Sequence, residues 1–159
     1  MPIIKTLFFL ILIPGPLLIW APYKIALLNP GGQFYPGPFR YAALLPWLGG
    51  TVILLWSCWE FTFRGRGTPA PIDPPKVMVA EGLYRFVRNP MYLGALLILL
   101  GDVLWFQSLR LLIYAAALTA AFHLFVVFYE EPVLRRKFGS SYEDYCRRVP
   151  RWIPRLRPL

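Results

Sequence analysis

The sequence is short of charge. Only 16% of its 159 residues are charged, while 57% are hydrophobic. A water-soluble domain has about a quarter of its residues charged, so that class is excluded. There is a single histidine, which excludes His-rich zinc constellations and leaves no metal site to expect. The two cysteines are Cys58, inside an apolar run, and Cys146, inside a basic tail. Neither position suits a disulfide or a metal. Acidic residues are also scarce, 8 against 17 basic ones, for a net charge of +9. A basic chain can bind nucleic acid, but these charges flank apolar runs. They face anionic lipid headgroups instead, so membrane lipids are the expected partner and nucleic acid is not.

What the sequence does have is four long apolar runs. Residues 6–23, 41–59 and 111–129 contain no charge, and 89–109 contain only Asp102. Each approaches the roughly 20 residues that cross a hydrocarbon core as a helix. The expected fold is therefore all-α: a polytopic membrane protein of four transmembrane helices, at about 3–26, 41–63, 90–106 and 110–129. A cytoplasmic loop at 64–89 and a helical cytoplasmic tail at 130–159 complete a single membrane domain. Lys5 before the first run is compatible with a signal peptide, but Pro14, Gly15 and Pro16 interrupt the run and no small-x-small cleavage site follows. The first run is read as a span, kinked by its prolines.

Orientation follows from Lys and Arg. The 64–89 segment carries Arg64, Arg66, Lys76, Arg85 and Arg88. The tail carries Arg135, Arg136, Lys137, Arg147, Arg148, Arg151, Arg155 and Arg157. Lys5 joins them, and only Lys24, Arg40 and Arg110 fall on the other side. The positive-inside rule puts both termini in the cytoplasm, with a bacterial inner membrane as the expected location.

Residues 29–39 are turn-rich and read as an outer loop. The 64–76 stretch, with four prolines and two glycines, reads as an extended loop able to fold over a site. Residues 77–88 read as a short interfacial element. Asn89–Pro90 suits a helix start, and the short turn at 107–110 makes the last two spans antiparallel neighbours. Gly139–Ser140–Ser141 breaks the tail, with Ser141 able to cap a helix beyond the break. The hairpin brings Arg88–Asn89–Pro90–Met91–Tyr92 near Glu130–Glu131 on one membrane face. A helix start suits an anionic group, and paired carboxylates suit an ammonium or sulfonium. Together they suit a zwitterion. The bland alternatives are a snorkelling Arg88, a simple cap at Asn89 and a solvated helix end. His123 shares a helix face with Glu130 and is read as a neutral packing residue. Asp102 and Glu60 are read as boundary residues.

These residues resemble a known family. Gly82–Leu83–Tyr84–Arg85–Phe86–Val87–Arg88–Asn89–Pro90–Met91–Tyr92–Leu93–Gly94, followed by Gly101, is similar to the first hallmark of the isoprenylcysteine carboxyl methyltransferase and phospholipid methyltransferase superfamily. Glu130–Glu131, Leu134, Phe138–Gly139, Tyr142, Tyr145, Val149–Pro150–Arg151 and Ile153–Pro154 resemble the second. The resemblance covers about residues 64–154. It implies an S-adenosylmethionine-dependent membrane methyltransferase acting on a lipophilic acceptor. It also implies a cofactor site made by Asn89, Pro90, Tyr92, Gly94, Gly101, Glu130, Glu131, Tyr142 and Tyr145, with Gly101 contributing by allowing close helix approach. Asn89 stands where many members have His, which argues against an imidazole base there. Methyl transfer needs alignment and exclusion of water more than a strong base. Glu131 is the chief catalytic candidate, and Arg88 or Arg148 would orient a carboxylate. The competing functions are a sterol-reductase-type enzyme using NADPH and a non-enzymatic scaffold.

Overall fold

The computed structural model describes residues 2–28, 37–65 and 77–157, and among these every regular element is helical. The first apolar run forms α1 (Pro2–Leu12) and α2 (Ala21–Leu27), joined through a π-helical segment at Pro16–Trp20. Proline lacks an amide hydrogen and crowds the preceding turn. Here the chain meets that constraint by widening its turns rather than by stopping, and Ile4–Leu27 stays one 24-residue apolar helix.

A 3₁₀ segment at Pro38–Ala43 leads into α3 (Leu44–Phe63), α4 covers Pro90–Phe106, and α5 covers Leu109–Phe125. Pro90 occupies the first turn of α4, where no amide donor is needed. Gln107 closes the helix with φ 50°, which turns the chain directly back into α5. Helix then continues past Phe125 through a second π segment, Val126–Glu130, into α6 (Glu131–Phe138). The start of the expected helical tail is therefore continuous with the last span, Leu109–Phe138 forming one 30-residue helix. Gly139, at φ 55°, separates α6 from α7 (Ser140–Arg148). The cap position falls on Gly139, so Ser141 lies inside α7 rather than before it.

Three helical stretches, Ile4–Leu27, Pro38–Phe63 and Leu109–Phe138, are long and apolar enough to cross a membrane. The remaining expected span, the third in chain order at Pro90–Phe106, is apolar but shorter, at 17 residues. Many large side chains on these helices face outward, among them Phe8, Ile11, Leu45, Leu48, Ile113 and Phe128. Such a surface is unfavourable in water and suited to hydrocarbon.

The tightest seam is between α3 and α4. A Cβ on Gly50 would lie 2.6 Å from the Gly94 carbonyl oxygen, and one on Gly94 would lie 2.8 Å from the Gly50 carbonyl oxygen. Two glycines thus let the backbones touch, as small residues do between helices in lipid. Leu18, Leu54, Ala95 and Leu99 fill the core beside this seam, with Tyr114, Leu118 and Phe122 of α5 packed on them. Most of the turn-rich stretch at 29–39 and of the Pro-rich stretch at 64–76 lies outside the described residues.

Candidate active site

The ends of α3 and α4, the π segment, α6, α7 and residues 77–84 surround a cleft of about 680 Å³, its open mouth included. Arg88, Asn89 and Tyr92 line it from the start of α4, Glu130 and Glu131 from the long fourth helix, and Tyr142 and Tyr145 from α7. The α4–α5 hairpin thus brings together groups about 40 residues apart in the chain. Phe61, Met78, Val79, Val126, Leu134 and Phe138 supply apolar wall.

The two adjacent carboxylates have different surroundings. Glu131 is 3% exposed and saturated with donors. Arg151 Nε donates to its Oε1 at 2.7 Å, Arg151 Nη2 donates to Oε2 at 3.0 Å, and Arg88 Nη1 donates to Oε1 at 3.0 Å. Arg135 Nη2 stands 3.6 Å from Oε2. This side-by-side pairing of guanidinium and carboxylate is the strong form of the ion pair. Contact with Glu131 pushes the Arg151 pKa further up, so the guanidinium stays charged. Glu130, by contrast, accepts one bond, from the Tyr92 hydroxyl to Oε2 at 2.9 Å.

The tail is fastened to this clamp by backbone as well. Arg88 N donates to Pro150 O at 2.9 Å, Arg155 N to Phe86 O at 3.0 Å, and Asn89 Nδ2 to Arg151 O at 3.1 Å. Tyr145 OH donates to Tyr84 O at 2.7 Å. Burial pushes the phenol pKa values of Tyr84, Tyr142 and Tyr145 up, so these rings remain neutral. Arg88 Nη1 also reaches Cys146 Sγ at 2.9 Å, while Arg88 Nε is buried with no partner among the described residues.

The floor of the cleft depends on Glu60. This carboxylate is 1% exposed at the end of α3, takes the Trp56 indole N–H on Oε1 at 3.0 Å and accepts the Leu83 amide on Oε2 at 3.3 Å. Leu83 lies in the 3₁₀ turn Gly82–Arg85, which carries Tyr84 into the cleft. Gly82 has φ +56°, and any Cβ there would run into the Glu60 carboxyl group. Glu60 is therefore a fastening for the cleft wall rather than a passive boundary residue.

Four of the expected site residues stand elsewhere. Gly94 faces Gly50 and Leu54, and Gly101 faces the Trp47 ring; both serve the helix seam and neither lines the cleft. Pro90 is fully buried at the start of α4, behind the lining residues. Arg148 is exposed at the end of α7, where its carbonyl accepts from Arg155 Nη1 at 2.6 Å. The guanidinium that reaches the carboxylates belongs to Arg151, because the chain leaves helical geometry at Val149 and turns back toward α4. The Val149–Pro150–Arg151 pattern is the sequence signal for this turn. His123 accepts the Trp152 indole N–H on Nδ1 at 3.0 Å, and the Trp152 ring meets Tyr92 at 6.4 Å between centroids. Among the described residues no cluster of His, Cys, Asp and Glu fit for a metal occurs.

Comparison with known proteins identifies a family. A family model described as phospholipid methyltransferase matches residues 39–141, well over half of the chain. Methanethiol S-methyltransferase 2 of Bradyrhizobium diazoefficiens is 40% identical over 77 residues, covering 46% of this chain and 27% of its own. Protein-S-isoprenylcysteine O-methyltransferase B of Arabidopsis thaliana is 32% identical over 77 residues, 48% of this chain and 39% of its own. The Schizosaccharomyces pombe protein-S-isoprenylcysteine O-methyltransferase is 34% identical over 79 residues, 49% and 33%. The chain thus spans well under half the length of each of these relatives. No solved structure matches it.

Proposed function

The chain belongs to the phospholipid methyltransferase family, and from that premise we propose that it is an integral membrane enzyme that transfers a methyl group from S-adenosylmethionine to a lipophilic acceptor. The acceptor atom is a carboxylate, amine or thiol. The observation that carries the reading is the division of labour between the two glutamates. Glu131 is spent on arginines and holds the site together, whereas Glu130 presents a carboxylate to the cleft with one hydrogen bond made. S-adenosylmethionine, when bound, supplies a methyl group on a sulfonium that is already activated for displacement.

The residues present fit that zwitterion. Glu130 answers an ammonium or sulfonium. Arg88 Nε, buried and without a described partner, is a donor for a carboxylate, assisted by the positive end of the 17-residue helix α4. Tyr84, Phe138 and Tyr142 offer aromatic wall to a purine. Asn89 is occupied with the Arg151 carbonyl, so its work is to hold the tail over the cleft. The rest of catalysis is alignment and exclusion of water.

In the proposed topology α4 also crosses the membrane. Its 17 residues rise about 26 Å, near the lower limit for a span. Both termini and the cleft then face the cytoplasm, as the distribution of Lys and Arg requires. Calorimetry on the detergent-purified protein with S-adenosylmethionine and its demethylated product tests the cofactor. Binding that falls roughly tenfold or more in Glu130→Gln, the loss expected of a hydrogen bond to a charge, supports the reading. Wild-type protein that binds neither compound overturns it.

A further inference from the structure

A second cavity lies at the other end of the molecule. It is a groove of about 1090 Å³, open mouth included, between the first helix and the α3–α4 pair. Leu10, Leu18, Leu54, Leu55 and Ile98 make its walls apolar, and Asp102 lines it near the end of α4 remote from Asn89. Asp102 is 7% exposed. Its Oδ1 accepts the Trp47 indole N–H at 3.1 Å, and its Oδ2 is buried with no partner among the described residues. The hydroxyl of nearby Tyr114 is already committed to the Leu17 carbonyl at 2.9 Å. A carboxylate oxygen shut away from water and left without a donor is costly, and within a membrane protein it marks a site for a cation.

We propose that this groove holds one aminophospholipid of the surrounding bilayer, its ammonium on Asp102 and one acyl chain along the Leu-rich wall. Charge complementarity selects the headgroup: the unpaired oxygen calls for a cationic N–H donor. The first helix is read as a membrane span, so the groove opens where acyl chains are the solvent. Twelve residues of helix separate Asp102 from Pro90, a rise of about 18 Å. An ammonium held at Asp102 is thus far from the cleft and is not the methyl acceptor. The site would seat the first helix against α3 and α4 through a lipid.

Native mass spectrometry after reconstitution in equimolar phosphatidylethanolamine, phosphatidylglycerol and N-acyl-phosphatidylethanolamine with identical chains tests this directly. The wild-type protein should retain one phosphatidylethanolamine roughly tenfold or more over the two lipids lacking an ammonium. Asp102→Asn should bring the three to parity. Thr51→Trp fills the groove while keeping the Asp102 carboxylate in the sequence and should release all three, with its fold checked by thermal unfolding. Equal retention of the three lipids by the wild type, an undiminished preference in Asp102→Asn, or a lipid-free dimer seated through this face would each overturn the proposal. Should Asp102→Asn fail to fold, the wild-type lipid comparison and Thr51→Trp still decide it. Cofactor binding does not enter the readout, so the proposed methyl transfer stands or falls separately.

Discussion

Removing the Arg151 side chain should loosen the whole cleft. Its guanidinium makes two bonds to one carboxylate, at 2.7 and 3.0 Å, and its side chain is 31% exposed against 5% for Glu131. Stripping one partner from a buried ion pair costs about 3–5 kcal/mol when the remaining charge is left bare. Here Arg88 stays 3.0 Å from Oε1 and Arg135 stays 3.6 Å from Oε2, so Glu131 keeps a counter-charge. The partial exposure of Arg151 weakens the pair further. The expected loss for Arg151→Ala is therefore about 1.5–3 kcal/mol, the range of a hydrogen bond to a charged group. Arg151→Lys should recover only part of it, since an ammonium cannot match both oxygens side by side. Thermal unfolding in detergent, read as a double-mutant cycle of Arg151→Ala with Glu131→Gln, measures the pair itself. A coupling within about 0.5 kcal/mol of zero would mean that the two residues act independently, and the clamp would be refuted.

The same geometry sets the outcome of two glycine substitutions. Gly94→Leu should prevent normal folding, since even a Cβ there falls 2.8 Å from backbone atoms of α3, and overpacking of smaller size already costs about 1–3 kcal/mol; a monodisperse Gly94→Leu protein with wild-type thermal stability would contradict the seam. Gly82→Ala should cost more than the roughly 1–2 kcal/mol of backbone strain at a left-handed position, because the methyl also displaces the Glu60 carboxyl group. A Glu60→Ala background separates the two causes: the clash is relieved there while the backbone strain remains, and a Gly82→Ala loss undiminished in that background would remove the role given to Glu60.

The charge-free runs located α3, α4 and α5 because hydropathy is a local property, and the short Gln107–Arg110 link fixed the hairpin that makes the cleft. The end of the fourth helix was not legible in the same way. Glu130, Glu131 and Arg135 break hydropathy, yet they are compatible with helix, and the counter-charges of Glu131 include Arg88 and Arg151, far away in sequence. Arg148 was named with Arg88 as an orienting residue, but the tail guanidinium that reaches Glu131 is that of Arg151. Both lie in one basic run, and only the turn at Val149–Pro150 decides which returns to α4. Gly94 and Gly101 were placed by resemblance at the cofactor, whereas their neighbours in space, Gly50 and Trp47, lie on a helix whose register the sequence leaves open. Asn89, Tyr92, Glu130, Tyr142 and Tyr145 do share one cleft, because a short turn and a helix break constrain where they can be.

The π segment at Val126–Glu130 stores one residue of slack just before the two carboxylates diverge to different partners. The amide of Glu131 bonds to Val126 O, five residues back, so one extra residue is stored in that turn. Such bulges behave as single-residue insertions in an α-helix. Deleting Phe128, whose side chain is 75% exposed, should remove the stored residue and restore a regular helix. Four regular steps from Val126 then carry the chain through about 400°, close to where the wide turn already puts Glu131, so its bonds to Arg88 and Arg151 should survive. Deleting Ala117, exposed in the regular part of α5, has no such slack. It should rotate the residues that follow by about 100° relative to the start of α5 and take Leu118 and Phe122 off the core. The Phe128 deletion should therefore be the milder of the two in thermal unfolding and should keep the Arg151–Glu131 coupling. A Phe128 deletion that loses the coupling, or that is as destabilising as the Ala117 deletion, would show that the wide turn does not hold one spare residue.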